Sequence, residues 1–211
     1  MRIPMSSYGG QPQQVDHIAE IIETTTTEFL AQCLDPPTLE FSKAPAFGSL
    51  VKARDDENDV DVYAVVYFAT TSPIDSVHRA RAIGLSLQQL REEQPQVFEM
   101  LKTEFRAAIV GYRDKRQTHQ YLPPQPPYIH QSIHRCSKQE IARFSKDLRF
   151  LRTLFQLSGA PSDELVGATI RACYEAHGRS REWLVEAGRE ISLLLKDDYD
   201  RLGALLQRIR P

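Results

Sequence analysis

Residues 60–71, VDVYAVVYFATT, decide the architecture. Val62, Ala64, Val66 and Phe68 alternate with Tyr63, Val65, Tyr67 and Ala69, so a strand here is apolar on both faces. An antiparallel strand with one wet side shows polar residues at every second position; one without them is covered twice, as in a closed barrel packed against something else. Tyr63, Tyr67 and Phe68 accordingly read as core rather than as a stacking platform. Upstream, AFGSLVKA at residues 46–53 reads as a strand, joined to the first by the polar RDDEND, which is turn chemistry between apolar runs. Further back, the threonines of IIETTTTEFLAQCL, residues 21–34, favour one extended run that ends before Pro36-Pro37.

Downstream the period changes. SLQQLREEQP (residues 86–95) and QPQVFEMLKTEF predict two short helical turns, with Pro95 suited to the first turn of the second because its missing N–H is harmless there. Residues 104–114 return to strand character, Asp114-Lys115-Arg116 makes a turn, and QTHQYL (117–122) pairs back as a hairpin. PPQPPYIH (123–130) cannot donate ladder hydrogen bonds at four positions, so it runs extended over the surface before a last short strand near residues 132–136. About six short strands with one helical insertion describe a small β-barrel.

Ser137 and Glu140 then have capping-box spacing. Apolar stripes follow at helical period: Leu148, Leu151, Phe155 and Leu157; Leu165, Thr169, Cys173 and Ala176; Leu184, Ala187, Ile191 and Leu194; Leu202, Leu205 and Ile209. Pro161, Gly178 and the polar step at 196–198 mark the joints. The expected class is α+β, with a flexible N-terminal arm over residues 1–16, a small β-barrel over 17–136 and a C-terminal α-helical bundle over 137–211.

The chain has 211 residues, 41% of them hydrophobic and 26% charged, which excludes collagen, a coiled-coil rod and wholesale disorder. Its formal charge of −2 argues against a strongly electrostatic nucleic-acid binder, but the average hides a gradient of −7 over residues 1–71, +4 over 72–145 and +1 over 146–211. Opposite charge in adjoining thirds suits head-to-tail contact between copies. Cys33, Cys136 and Cys173 are widely spaced and odd in number, which fits a reducing, cytoplasmic setting better than a disulfide framework. No signal peptide or membrane span is read in the sequence.

Chemistry is sparse. No glycine is followed by Lys, and G-x-G-x-x-G, G-x-S-x-G and H-E-x-x-H are absent, so no nucleotide, cofactor or hydrolytic site is expected and the chain reads as non-enzymatic. Asp55, Glu57, Asp59 and Asp61 alternate like calcium ligands, but Val60 stands where such a loop needs glycine and Val66 where it needs an acid; the stretch reads as a solvated acidic hairpin tip. His130 and His134 would lie about 13 Å apart along a strand, too far to share a metal. The candidate contact residues are basic: Arg113, Lys115 and Arg116 with His119 at one hairpin, and Arg79 and Arg81 before the insertion. With Tyr112 and Tyr121 nearby they make a basic hairpin edge for nucleic acid the alternative to protein docking.

GSLVKA, VYAVVYFATT, QPQVFEMLKTEFRAAIVGY and, most specifically, QYLPPQPPYIH resemble the HAS-barrel family over about residues 24–136. This is the N-terminal barrel of HerA-type ATPases and ATP-synthase head subunits. There the barrel is not the catalytic part, so the resemblance implies an oligomerisation and partner-docking module, with another protein, an ATPase or the chain itself, as partner. Where HerA-type proteins continue into a nucleotide-binding domain, residues 137–211 read as short helices, so ATP-coupled DNA processing is not carried over.

Overall fold

The computed structural model describes residues 17–35, 43–75 and 81–209; the proposed N-terminal arm lies outside them. Seven strands, β1 (His17–Thr24), β2 (Glu28–Cys33), β3 (Leu50–Asp55), β4 (Val60–Pro73), β5 (Leu101–Arg113), β6 (Thr118–His119) and β7 (Ser132–Arg135), join antiparallel in the order β2-β1-β7-β3-β4-β5-β6. β2 also pairs with β5, from Glu28 opposite Ala108 to Gln32 opposite Glu104. That pairing closes six strands into a barrel and leaves β6 as a short flap on β5.

The two apolar faces of β4 go to two different cores. Val62, Ala64 and Val66 point into the barrel with Ile21, Phe29, Phe105, Ile109, Ile133 and a set of alanines. A narrow ring leaves room for few large side chains, so small and bulky residues alternate inside it. Tyr63, Val65 and Tyr67 point outward into a second core shared with the C-terminal helices. The register shifts between Val66 and Phe68. Past that bulge the alternation is reset, and Phe68, read as core from the sequence, is 50% exposed.

Three local expectations are corrected. Residues 21–34 do not form one extended run: Thr25 Oγ1 accepts from the backbone N–H of Thr27 and Glu28, at 3.3 and 3.1 Å, and folds the chain into the β1–β2 hairpin. The strand placed at 46–53 begins only at Leu50, because Gly48 turns at φ +80° and Ser49 donates to the Ala46 carbonyl. A Cβ at Gly48 would lie 2.5 Å from Ala168 Cβ, so the glycine also lets this turn touch the helical layer. The strand placed at 104–114 starts earlier, at Leu101, directly behind the insertion.

That insertion is α1 (Leu87–Glu93), capped reciprocally by Ser86 and Gln89, and α2 (Gln96–Glu99), with Pro95 at its N-cap. The C-terminal layer comprises α3 (Lys138–Phe144), α4 (Leu151–Phe155), α5 (Ser162–Ala176), α6 (Arg181–Leu194) and α7 (Tyr199–Arg208). Ser137 and Glu140 form the expected capping box of α3. α5 lies against α3, α4, α6 and α7 and is buried over a wider face than its predicted stripe, adding Val166 and Ile170. α6 turns Trp183 inward, and its indole N–H donates to the Ser145 carbonyl at 2.9 Å. His177 stacks on that indole, 4.6 Å between ring centres, and burial lowers its pKa. Among the described residues no helix is long and apolar enough to cross a membrane.

Gln120, just after β6, ties the two layers together. Its amide nitrogen donates to the carbonyls of Phe144 (2.7 Å) and Asp147 (2.6 Å), and its amide oxygen accepts from the Phe150 N–H (2.9 Å). One side chain therefore satisfies three backbone groups of the α3–α4 connection. Gln120→Leu keeps the volume and orphans all three, so thermal unfolding should show a loss of about 2–4 kcal/mol. A change within about 0.5 kcal/mol, the usual range for a surface substitution, would show that water replaces the clamp.

Candidate interaction surface

Antiparallel pairing of Asp61 with Arg113 sets the β3–β4 turn and the β5–β6 turn side by side at one end of the barrel. Each turn is built by an aspartate. Asp55 Oδ1 accepts from the N–H groups of Glu57 and Asn58, both at 3.1 Å, and its other oxygen takes the Asn58 amide at 2.8 Å. Asp114 Oδ1 accepts from Arg116 (2.8 Å) and Gln117 (2.9 Å). Those two N–H bonds, with His119 added, hold the Asp114 carboxyl down at about 2.

The four basic candidates on the second hairpin have different environments. Arg113 reaches across to Asp61, Nη2 to Oδ2 at 2.5 Å. His119 stacks on Tyr112 at 4.5 Å, while its ring nitrogens meet Asp114 Oδ2 (3.1 Å) and the Tyr121 hydroxyl (2.8 Å). Lys115 and Arg116 are exposed and make no ion pair among the described residues. Arg81 is exposed ahead of α1, on a different element, and Arg79 lies outside the described residues.

Asp61 corrects the reading of the acidic repeat as a solvated tip. Asp56, Glu57 and Asp59 are exposed, but Asp61 is 1% exposed and also faces Arg54 Nη1 at 3.2 Å and Lys52 Nζ at 4.0 Å. Lys52 is ion-paired with Glu140 of α3. Glu140 thus serves twice: one carboxylate oxygen pairs with Lys52, and the other accepts from the Ser137 N–H (2.8 Å) and hydroxyl (2.9 Å). Burial opposes its charge, but the hydrogen bonds from Lys52 and Ser137 outweigh burial and keep its pKa below the ordinary value. The cluster of Lys52, Asp61, Arg113 and Glu140 is consequently part of the seam between barrel and helices.

His130 and His134 have separate surroundings. His130 is exposed, 3.6 Å from Glu20, whereas His134 is buried, bonded to Ser132 and stacked on His17. Among the described residues no group of three His, Cys, Asp or Glu side chains is placed to hold a metal.

What faces solvent at the barrel mouth is the proline segment. Tyr121, Leu122, Tyr128 and Ile129 bracket PPQPP and are all exposed, Tyr128 at 59%. Between this segment and the two turns runs a groove of about 330 Å³, walled by Tyr112, Tyr128 and the prolines, with Asp55 and Asp114 at its rim. Sequence reasoning passed over Tyr128 and Ile129. The signal was available: prolines on their N-terminal side deny that stretch ladder donors, so apolar side chains there are not buried by sheet formation.

Replacing Asp61 with Asn keeps the shape and leaves Lys52, Arg54 and Arg113 without their shared anion. Denaturant unfolding should register a loss of about 2–4 kcal/mol, the low side of the range for a broken buried pair because the two arginines keep roughly a third of their side-chain surface wet. A neutral or stabilising result would mean that the cluster contributes nothing to holding the layers together.

No curated protein matches the chain. Residues 18–115 match the family described as the HAS barrel domain. The match begins in β1, runs through the helical insertion between β4 and β5, and stops at the second hairpin tip, short of β7, which completes the ring. The likeness to the HAS barrel domain thus covers a little under half of the chain.

Proposed function

We propose that the chain is a non-enzymatic protein-interaction or oligomerisation module, an accessory to an ATPase or a larger assembly. The observation that carries this reading is the exposed apolar row Tyr121, Leu122, Tyr128 and Ile129 on the proline segment. One outer wall of the barrel is taken up by helices, while its mouth presents large apolar side chains to water. The HAS-barrel match supports the same reading, since the barrel is a docking element in the proteins it resembles. In favour of a role without catalysis, the charged groups that converge most closely, Lys52, Asp61, Arg113 and Glu140, are engaged with one another. The free thiols of Cys33, Cys136 and Cys173, whose pKa values burial raises, fit a cytoplasmic setting.

Nucleic acid is the second reading, favoured by exposed Lys115 and Arg116 beside the Tyr112–His119–Tyr121 cluster. Electrostatics ranks it lower. A phosphate strand reaching those two cations also meets Asp55, Asp56, Glu57, Asp59 and Asp114 in the adjoining turns. The test pairs two measurements. The immobilised full chain should retain a protein from a native extract that the Tyr128→Ser/Ile129→Ser double variant loses, with sedimentation at low and high salt showing whether that protein is a second copy. Fluorescence titration with labelled oligothymidine should show no saturable binding at low salt. Equal retention by both chains, or salt-sensitive oligonucleotide binding lost in a Lys115→Glu/Arg116→Glu variant, contradicts the proposal.

A further inference from the structure

We propose that the groove at the barrel mouth receives an extended, arginine-bearing segment of a partner protein. This rests on the interaction-module reading and names the chemistry of its partner. At about 330 Å³ the groove is at the small end for a ligand site, the scale of a side chain with its flanking backbone rather than of a cofactor. Its walls are aromatic and proline, with Val62 among the apolar residues that line it. Tyr112 has one ring face stacked against His119, which fixes its orientation toward the groove it lines. Tyr128 is fixed from both ends: its N–H donates to Gln131 Oε1 at 2.7 Å and its hydroxyl to Gln125 Oε1 at 3.0 Å. Two held rings are a ready surface for a planar cation, with little side-chain entropy left to lose on binding.

Charge selects the occupant. Asp55 has no ion-pair partner among the described residues, and Asp114 faces only the imidazole of His119. Hydrogen bonds from Asn58 to Asp55, and from the Gln117 and Arg116 backbone to Asp114, hold both carboxyls below their ordinary values and so ionised at neutral pH. A guanidinium suits this setting better than an ammonium, because it stacks flat on tyrosine and presents a fork of donors to carboxylates. The trough does not stop at Tyr128. A second hollow of about 260 Å³ shares Asp55, Tyr128 and Gln131 with the first and adds the exposed Glu57, His130 and Asp56, the last already paired with Arg54 at 2.6 Å. Two hollows joined over one tyrosine fit an extended chain, with basic side chains on both sides of it.

The probe is N-acetyl-L-arginine amide, titrated into isotope-labelled full chain and followed by NMR. Saturable shifts at Tyr112, Tyr128, Asp55 and Asp114 are expected, with weak affinity, and the uncharged citrulline analogue should leave them unmoved. Asp55→Asn and Asp114→Asn retain the side-chain oxygen that builds each turn, so distal resonances should stay in place while affinity falls about fivefold in each. Tyr128→Ala alters an exposed side chain and should weaken binding without disturbing the fold. Absence of saturable shifts in the groove, equal binding of the citrulline analogue, or full affinity in both Asn variants overturns the inference. If the arginine probe fails while extract capture through Tyr128 and Ile129 persists, this inference falls and the docking role stands. If the probe binds but capture fails, the groove is assigned and the docking role is what fails.

Discussion

Glu140 is a helix cap and an interlayer ion-pair partner at once, and the arrangement of the molecule follows from that double use. One oxygen closes the first turn of α3 with Ser137 while the other pairs with Lys52 on the barrel, so α3 starts at a place fixed by β3. Lys52 also faces Asp61, which takes Arg113 from the next strand. A charge chain therefore runs from β5 through β4 and β3 into α3. Burying such a chain costs desolvation, and it persists because each carboxylate has several donors. Gln120 and the close approach at Gly48 fix the same two layers at other points.

With the helices anchored on one wall, β4 has to be apolar on both faces, and its inward face has to be small enough for a six-stranded ring. Val62, Ala64 and Val66 meet the second demand; Tyr63, Val65 and Tyr67 meet the first. The helical layer covers one lateral wall, and the proline segment at the end of the barrel presents a row of apolar side chains to water. That division places the buried charges at the seam and the exposed apolar row at the mouth, where the proposed docking would occur. The acidic β3–β4 turn and the basic β5–β6 turn are neighbours in one wall, so part of the charge gradient seen along the chain is brought together within one molecule.

What the sequence disclosed was what local chemistry determines. The two-faced run at 60–71, the Ser137–Glu140 box, the Asp114 turn, the extended proline segment and the helix joints at Pro161 and Gly178 each depend on residues a few positions apart. The β1–β2 turn was hidden because threonine suits a strand as well as a hydroxyl-built turn. Asp61 and Arg113 looked like surface charges since their partners come from other strands. Phe68 sat on the core face by counting, and a bulge no alternation rule encodes moved it into water. Gln120 and Trp183 gain their meaning from Phe144, Ser145 and Phe150, brought near only by the fold. The basic hairpin was visible as a candidate, but the groove beside it was not: its walls come from β4, β5, the proline segment and the β3–β4 turn.

Barrel and helices should unfold as one cooperative unit, joined by the Lys52–Glu140 pair that Asp61 and Arg113 back from within the barrel. Scanning calorimetry of the full chain tests this most directly. A single transition is expected, with calorimetric and van't Hoff enthalpies that agree, and Glu140→Gln should shift it downward as one peak. Two resolved transitions in the unaltered chain, with the helices melting before the barrel, would contradict it.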